Sequence, residues 1–332
     1  MRDGFVRVAA VTPAIRVADV DFNVASCAAA ARHASAAGAR VIVLPELTIT
    51  AYTCEDLFWQ DALLNAAEAG LARFAHETAD IDALIFVGVP VRVAAKLYNC
   101  AAAVCHGRVL GLVPKRNIPT YNEFYEGRHF CAGPAEVAWV RLPALGDEAI
   151  PFGSHLLFTC EDMPELVVGA EVCEDLWVPN PPSTEQALAG ATLICNLSAS
   201  NELVGKAGYR RSLVSSTSAR LVCAYAYASA GWGESTQDLV FGGHCLVGEN
   251  GRILAQSEPF AGERVGGWVG GAPSASNTAT CGSQLWCGSE ACAAGAVVEV
   301  DLLLAADRRR MSTFSIAPDA SGFVTVPFSL EP

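Results

Sequence analysis

The chain has 332 residues, 52% of them apolar and 17% charged, with a formal net charge of −13. That length supports one large hydrophobic core or two modest ones, and the apolar share excludes a disordered chain. The acidic balance argues against a nucleic-acid surface, and no run of 18 apolar residues is present to span a bilayer. With no apolar signal segment at the start, a cytoplasmic protein without nucleic-acid or membrane partners is expected.

In chain order, residues 5–11 (FVRVAAV) read as a strand. Residues 19–37 read as an alanine-rich helix, with Asp19 as N-cap and Gly38 just past its end. The run 40–44 (RVIVL) predicts a strand buried on both faces, and it stops at Pro45-Glu46. A helix within 55–79 and a strand at 83–89 follow, so the opening order is that of an α/β fold. Strands 97–105 and 108–113 are split only by His106-Gly107, a hairpin signal. A polar, aromatic loop of about fifteen residues then begins at Pro114, a length that points to function. Strand 166–172 ends at Cys173. A strand at 192–197, a helix over 205–219 and a strand at 221–228 continue the α/β rhythm. Strands near 239–247 and 252–256 flank an Asn250-Gly251 turn. Residues 261–295, rich in Gly, Ala, Ser and Cys, read as a surface excursion. A strand near 296–301 and a basic segment, Arg308 to Arg310, come last. No linker divides the chain, so one domain over 1–332 is expected.

The thirteen cysteines include Cys100, Cys105, Cys195 and Cys223 inside apolar runs, where they read as small buried hydrophobes. Cys281, Cys287 and Cys292 have no zinc-ligand spacing, and no metal is expected.

Three segments share one property, a buried-type strand that ends in a reactive side chain: VIVLPE to Glu46, LGLVPK to Lys115 and VGAEVC to Cys173. Strand carboxyl ends are where open α/β sheets build sites. Each residue alone has an ordinary reading, as a loop charge, a surface lysine or a core cysteine. Together they supply a nucleophile, a proton carrier and an oxyanion partner, the requirements for splitting an amide. A short helix starting near Glu174 would add its dipole in favour of a thiolate.

These segments resemble the nitrilase superfamily of carbon–nitrogen hydrolases, and within it the N-terminal glutaminase domain of glutamine-dependent NAD synthetases. The resemblance rests on LPELTITAYTCEDLF (44–58), PKRNIPTYNEFYEGRHF (114–130), GAEVCEDLWVPNPPS (169–183), NLSASN (196–201), GKAGYRRSL (205–213) and GESTQDLVFGGHCLVGENG (233–251). It implies a four-layer α-β-β-α sandwich, a Glu46-Lys115-Cys173 triad, and Glu126 as a second, supporting glutamate. It also implies substrate-binding roles for Tyr52, Tyr121, Glu126, Glu174, Trp177, Ser200 and Lys206, the last at a position where arginine is common in relatives. It implies a homo-oligomer and no cofactor in this chain. ATP and magnesium would serve only an absent synthetase domain, which would accept the ammonia in cis or in trans. No SGGxDS-type or Walker A loop occurs in the sequence. A free-standing amidase or nitrilase and a non-catalytic scaffold are the rival readings. A Ser-His-Asp hydrolase is disfavoured by the lack of a G-x-S-x-G elbow.

Overall fold

The computed structural model describes residues 3–260, 292–316 and 319–331. Its strands are β1 (Phe5–Pro13), β2 (Val41–Val43), β3 (Leu84–Val93), β4 (Lys96–Cys105), β5 (Arg108–Pro114), β6 (Ala138–Val140), β7 (Ile150–Phe152), β8 (Leu156–Cys160), β9 (Val167–Val172), β10 (Leu193–Ser198), β11 (Ala224–Ser229), β12 (Leu246–Glu249), β13 (Arg252–Gln256), β14 (Cys292–Asp301) and β15 (Val324–Phe328). The helices are α1 (Val20–Ala36), α2 (Asp61–Glu77), α3 (Pro182–Leu188), α4 (Lys206–Leu221) and α5 (Leu302–Arg310).

The strands form two mixed sheets. One runs β14-β1-β2-β3-β4-β5-β7-β6 and the other β13-β12-β11-β10-β9-β8-β15. Each has a parallel centre, β1-β2-β3 in the first and β9-β10-β11 in the second. Alternation along the strands feeds three apolar layers. In β2, Ile42 faces the layer under α1 and α2, whereas Val41 and Val43 face the opposite sheet. That inner layer joins Leu84 and Phe86 to Phe158, Val168, Ala170, Leu193 and Ala226. The outer face of the second sheet packs Ile194 and Tyr225 under Val214 and Leu221 of α4. The result is an α/β fold layered as an α-β-β-α sandwich. Central strands buried on both faces explain why their sequences read as continuous apolar runs.

Several local signals act as read. Asp19 caps α1 by accepting from Phe22 N at 3.1 Å, and Gly38 beyond it has φ +87°. The pairs His106-Gly107 and Asn250-Gly251 all have positive φ, which brings the strands of both hairpins straight back.

Other boundaries differ. The stretch 55–79 divides into a 3-10 turn, Glu55–Trp59, and α2. Helix α4 continues to Leu221, where left-handed Val222 ends it and delays β11 to Ala224. Residues 239–245 form no ladder. Phe241 makes one isolated bridge to Asn201, and regular pairing starts at Leu246. The excursion expected at 261–295 lies largely outside the described residues, as do Cys281 and Cys287, but 292–295 already belong to β14. The basic segment closes α5, and Arg309 turns inward to donate to the carbonyls of Ala191 and Leu221 at 2.6 and 2.9 Å. Short strands β6, β7, β8 and β15, and helix α3, escape periodicity because they span only three to seven residues. No helix among the described residues is long and apolar enough to cross a membrane.

Candidate active site

The chain leaves β2 through Leu44 and Pro45 and presses Glu46 onto β3. A Cβ at Gly88 would stand 2.2 Å from Leu47 N and 2.4 Å from Pro45 O, so glycine at that point admits the turn. The Glu46 carboxylate is fully buried. Its Oε1 accepts from Asn99 Nδ2 at 2.6 Å and from Lys115 Nζ at 2.7 Å, and its Oε2 from Ala199 N at 2.7 Å. Asn99 comes from β4 and Ala199 follows β10, so this one carboxylate is gripped by both sheets.

Lys115 emerges from β5 with its N–H on Asn99 O and its carbonyl accepting from Gly133 N, both at 2.8 Å. Its Nζ makes a second ion pair with Glu126 Oε1 at 2.6 Å, and no part of its side chain meets solvent. Burial opposes that charge, yet Glu126 and Glu46 outweigh burial and hold the ammonium proton well above the usual lysine range. Burial also raises the Glu126 carboxyl, Lys115 opposes that rise, and Glu46 adds to it. The cluster therefore balances one permanent cation against two carboxylates.

Cys173 follows β9 as the first residue of a 3-10 turn, Cys173–Leu176, with φ +46°, a conformation unusual for a residue with a side chain. Burial pushes its thiol well up, Glu46 and Glu126 push the same way, and Lys115 and the Ala199 N–H pull against them. The resting group is a thiol. The expected helix dipole near Glu174 is corrected here: one four-residue turn cannot offset full burial. The Ala199 N–H thus reaches both the Cys173 thiol and Glu46 Oε2.

The seven residues expected to bind substrate surround this centre. Tyr52 donates its hydroxyl to Glu126 Oε1 at 2.8 Å, and Tyr121, half exposed at the rim, donates to Glu174 Oε1 at 2.8 Å. Trp177 stacks on Tyr209 with centroids 5.5 Å apart. Lys206 Nζ sits 5.4 Å from the Trp177 ring and 5.6 Å from the Phe124 ring, and it donates to Asn201 Oδ1. Burial lowers the Lys206 pKa, the Cys173 side raises it, and Arg210 lowers it further. Ser200 is buried and accepts from Arg210 Nη2 at 3.3 Å.

Four contributors escape the sequence reading. Asn99 and Arg210 are fully buried polar side chains inside otherwise apolar or helical contexts. Glu234 accepts from Tyr52 N at 2.8 Å, and from Thr53 N at 3.0 Å and Thr53 Oγ1 at 2.5 Å, fastening the 233–238 loop beside the site. Asp175 is buried between the segments that carry Cys173 and Lys115. Asn99 left a signal of its own, a polar residue inside the apolar run LYNCAAAVC, whereas Asp175, Arg210 and Glu234 lie inside the family-like segments without being singled out there. Among the described residues, no group of three or more His, Cys, Asp or Glu side chains is arranged to hold a metal ion. The ten cysteines described are all free, and Cys100, Cys105, Cys195 and Cys223 are buried.

Comparison with known proteins fits this geometry. The carbon–nitrogen hydrolase family model matches residues 7–265. The chain is 46% identical over 257 residues to glutamine-dependent NAD(+) synthetase of Mycobacterium tuberculosis, covering 77% of this chain and 37% of that protein. It therefore spans a little over a third of the length of that curated relative. A crystal structure of a glutamine-dependent NAD(+) synthetase from Cytophaga hutchinsonii superposes with a TM-score of 0.69 at 28% identity, covering 78% of this chain and 41% of that one. An amidase from Nesterenkonia sp. shares the fold over 94% of this chain and 96% of its own, with a TM-score of 0.59 at 19% identity. The chain belongs to the carbon–nitrogen hydrolase family, the nitrilase superfamily.

Proposed function

We propose that this carbon–nitrogen hydrolase releases ammonia from the side-chain amide of glutamine, and that the ammonia amidates nicotinic acid adenine dinucleotide at an ATP-using synthetase domain. The observation that carries the reading is the buried Glu46-Lys115-Glu126 cluster beside Cys173, with the partly buried Lys206 near enough to interact electrostatically with Cys173. The 46% identity to a glutamine-dependent NAD(+) synthetase supports glutamine as the amide. Residues 1–332 act in this reading as one glutaminase domain, which associates with copies of itself.

The chemistry follows from the protonation states. Because burial keeps Cys173 a thiol, attack on the amide carbon is coupled to transfer of the thiol proton to Glu46. The carbonyl electrons move to an oxyanion facing the permanent charge of Lys115 and the backbone N–H of Glu174. Glu46 then returns its proton to the departing nitrogen, and ammonia leaves a thioester on Cys173. Water attacks the thioester, Glu46 takes its proton and passes it to the sulfur, and glutamate departs. Glu126 keeps Lys115 charged, and Tyr52 holds Glu126. Lys206 pairs with the glutamine carboxylate, while Glu174 and Tyr121 meet its polar end beside Trp177 and Ser200. Every group these steps use belongs to this chain, so ATP and magnesium serve only the acceptor's adenylation.

The test is ammonia release from glutamine, asparagine and simple aliphatic amides by the wild type and by Cys173→Ala. Glutamine turnover at least tenfold faster than the others, abolished in the variant, is the expected result. Equal or faster turnover of aliphatic amides would make the protein a general amidase, and persistence of activity without Cys173 would remove the mechanism.

A further inference from the structure

We infer that Asp175 is a positioning residue for the reaction, one carboxylate that locks the nucleophile turn to the segment carrying the oxyanion lysine. The inference rests on the roles proposed above for Cys173 and Lys115. Asp175 is 1% exposed. Its Oδ2 accepts from Val172 N at 3.0 Å, the residue immediately before the nucleophile. Its Oδ1 accepts from Asn117 N and Asn117 Nδ2, each at 2.8 Å, and from Arg116 N at 3.2 Å, the two residues immediately after Lys115. Asp175, itself part of the Cys173–Leu176 turn, thus ties that turn to the segment that follows Lys115.

Two features make this arrangement more than a structural staple. Cys173 has φ +46°, a conformation that strains a side-chain-bearing residue and persists only when its surroundings enforce it. The bond from Val172 N to Asp175 bridges Cys173 itself, so it holds the strained residue from both sides. On the far side, β5 has ended at Pro114, and Lys115 and its successors have left the regular ladder. Lys115 is fixed by Asn99 O and Gly133 N, and the next two residues by Asp175. A shift of about 1 Å between attacking and stabilising groups typically costs about a hundredfold in rate. Glu171 offers an internal contrast. It is as buried, on the same strand, and two residues before Cys173, but its partners are Tyr225 and Ser183, both scaffold.

The experiment compares Asp175→Asn, Asn117→Leu and Glu171→Gln in the full chain. Glutamine turnover gives kcat and KM, and peptide mapping follows alkylation of Cys173 by iodoacetamide, in which a sulfur–carbon bond forms and iodide leaves. For Asp175→Asn, kcat is expected to fall about a hundredfold with KM within threefold, and Cys173 alkylation to slow at least tenfold. Asn117→Leu removes one of the four donors and should lower kcat about fivefold with KM unchanged. Glu171→Gln should leave the alkylation rate within twofold of the wild type. Asp175→Asn acting only in proportion to its folded fraction, or slowing alkylation no more than Glu171→Gln, overturns the inference. If Asp175→Asn does not fold, Asn117→Leu decides, and unchanged kcat and alkylation there overturn it. Alkylation needs no glutamine, so a wild type inert toward glutamine would sink the functional reading while this test still runs.

Discussion

Among the described residues two cations are completely buried, Lys115 and Arg210, and they are held in opposite ways. Lys115 meets two carboxylates, at 2.6 and 2.7 Å, while Oε2 of one of them, Glu126, has no protein partner. Arg210 meets one carboxylate, Glu202 at 2.7 Å, and then neutral groups: His244 Nδ1 at 2.9 Å, Ser200 Oγ and Asn201 O both at 3.3 Å. Arg210 is a strut, its fork spread over the floor beneath Ser200 and Asn201. Lys115 is a point charge set against two buried carboxyl groups, and removing a buried partner from such a cluster is costly. The difference predicts that Lys115 governs rate and Arg210 governs binding and fold.

The largest expected effect is that of Lys115→Met. It deletes the oxyanion partner and strands two buried carboxylates, so kcat for glutamine should fall about a thousandfold. Stability should drop by about 3–5 kcal/mol, measured by urea unfolding. Activity within tenfold of the wild type would break the comparison. Glu126→Gln should lower kcat by about ten- to a hundredfold. It removes one of the two carboxylates that keep Lys115 charged, so the alkaline limb of the pH–rate profile should move to lower pH. An unmoved limb would mean that Glu46 alone sets the lysine's charge. Arg210→Lys keeps the charge but loses the planar fork. It should raise KM for glutamine about tenfold while changing kcat less than threefold. A kcat loss larger than the KM rise would erase the distinction between the two cations.

The smallest effect is a pH dependence. Burial, reinforced by Arg210 and Arg211, lowers the His244 pKa from 6.5 to about 4. The folded value lies below the unfolded one, so the unfolded chain binds the proton first. Stability from this group is full above pH 6.5 and is lost as pH falls from 6.5 toward 4, by up to about 3 kcal/mol. Unfolding of His244→Asn across that window should show a flatter acid slope than the wild type. An identical slope would mean that burial and the neighbouring arginines do not hold His244 neutral in the folded protein.

The sequence by itself marked the candidate triad and, through its family resemblance, implied the layering. Strand-end motifs marked Glu46, Lys115 and Cys173, because a strand buried on both faces announces itself by an unbroken apolar run and its last residue stands out against it. Long family-like segments marked Tyr52, Trp177 and the buried Glu126. Only the tertiary structure revealed Asn99, Asp175, Arg210 and Glu234 as supports. Asn99 acts on Glu46 53 residues away, and Glu234 on Tyr52 182 residues away. Local pattern carries no record of such partners. The structure also decided the state of the nucleophile. A dipole at a turn is a local expectation, whereas full burial is a property of two sheets closing over one sulfur, and burial prevails.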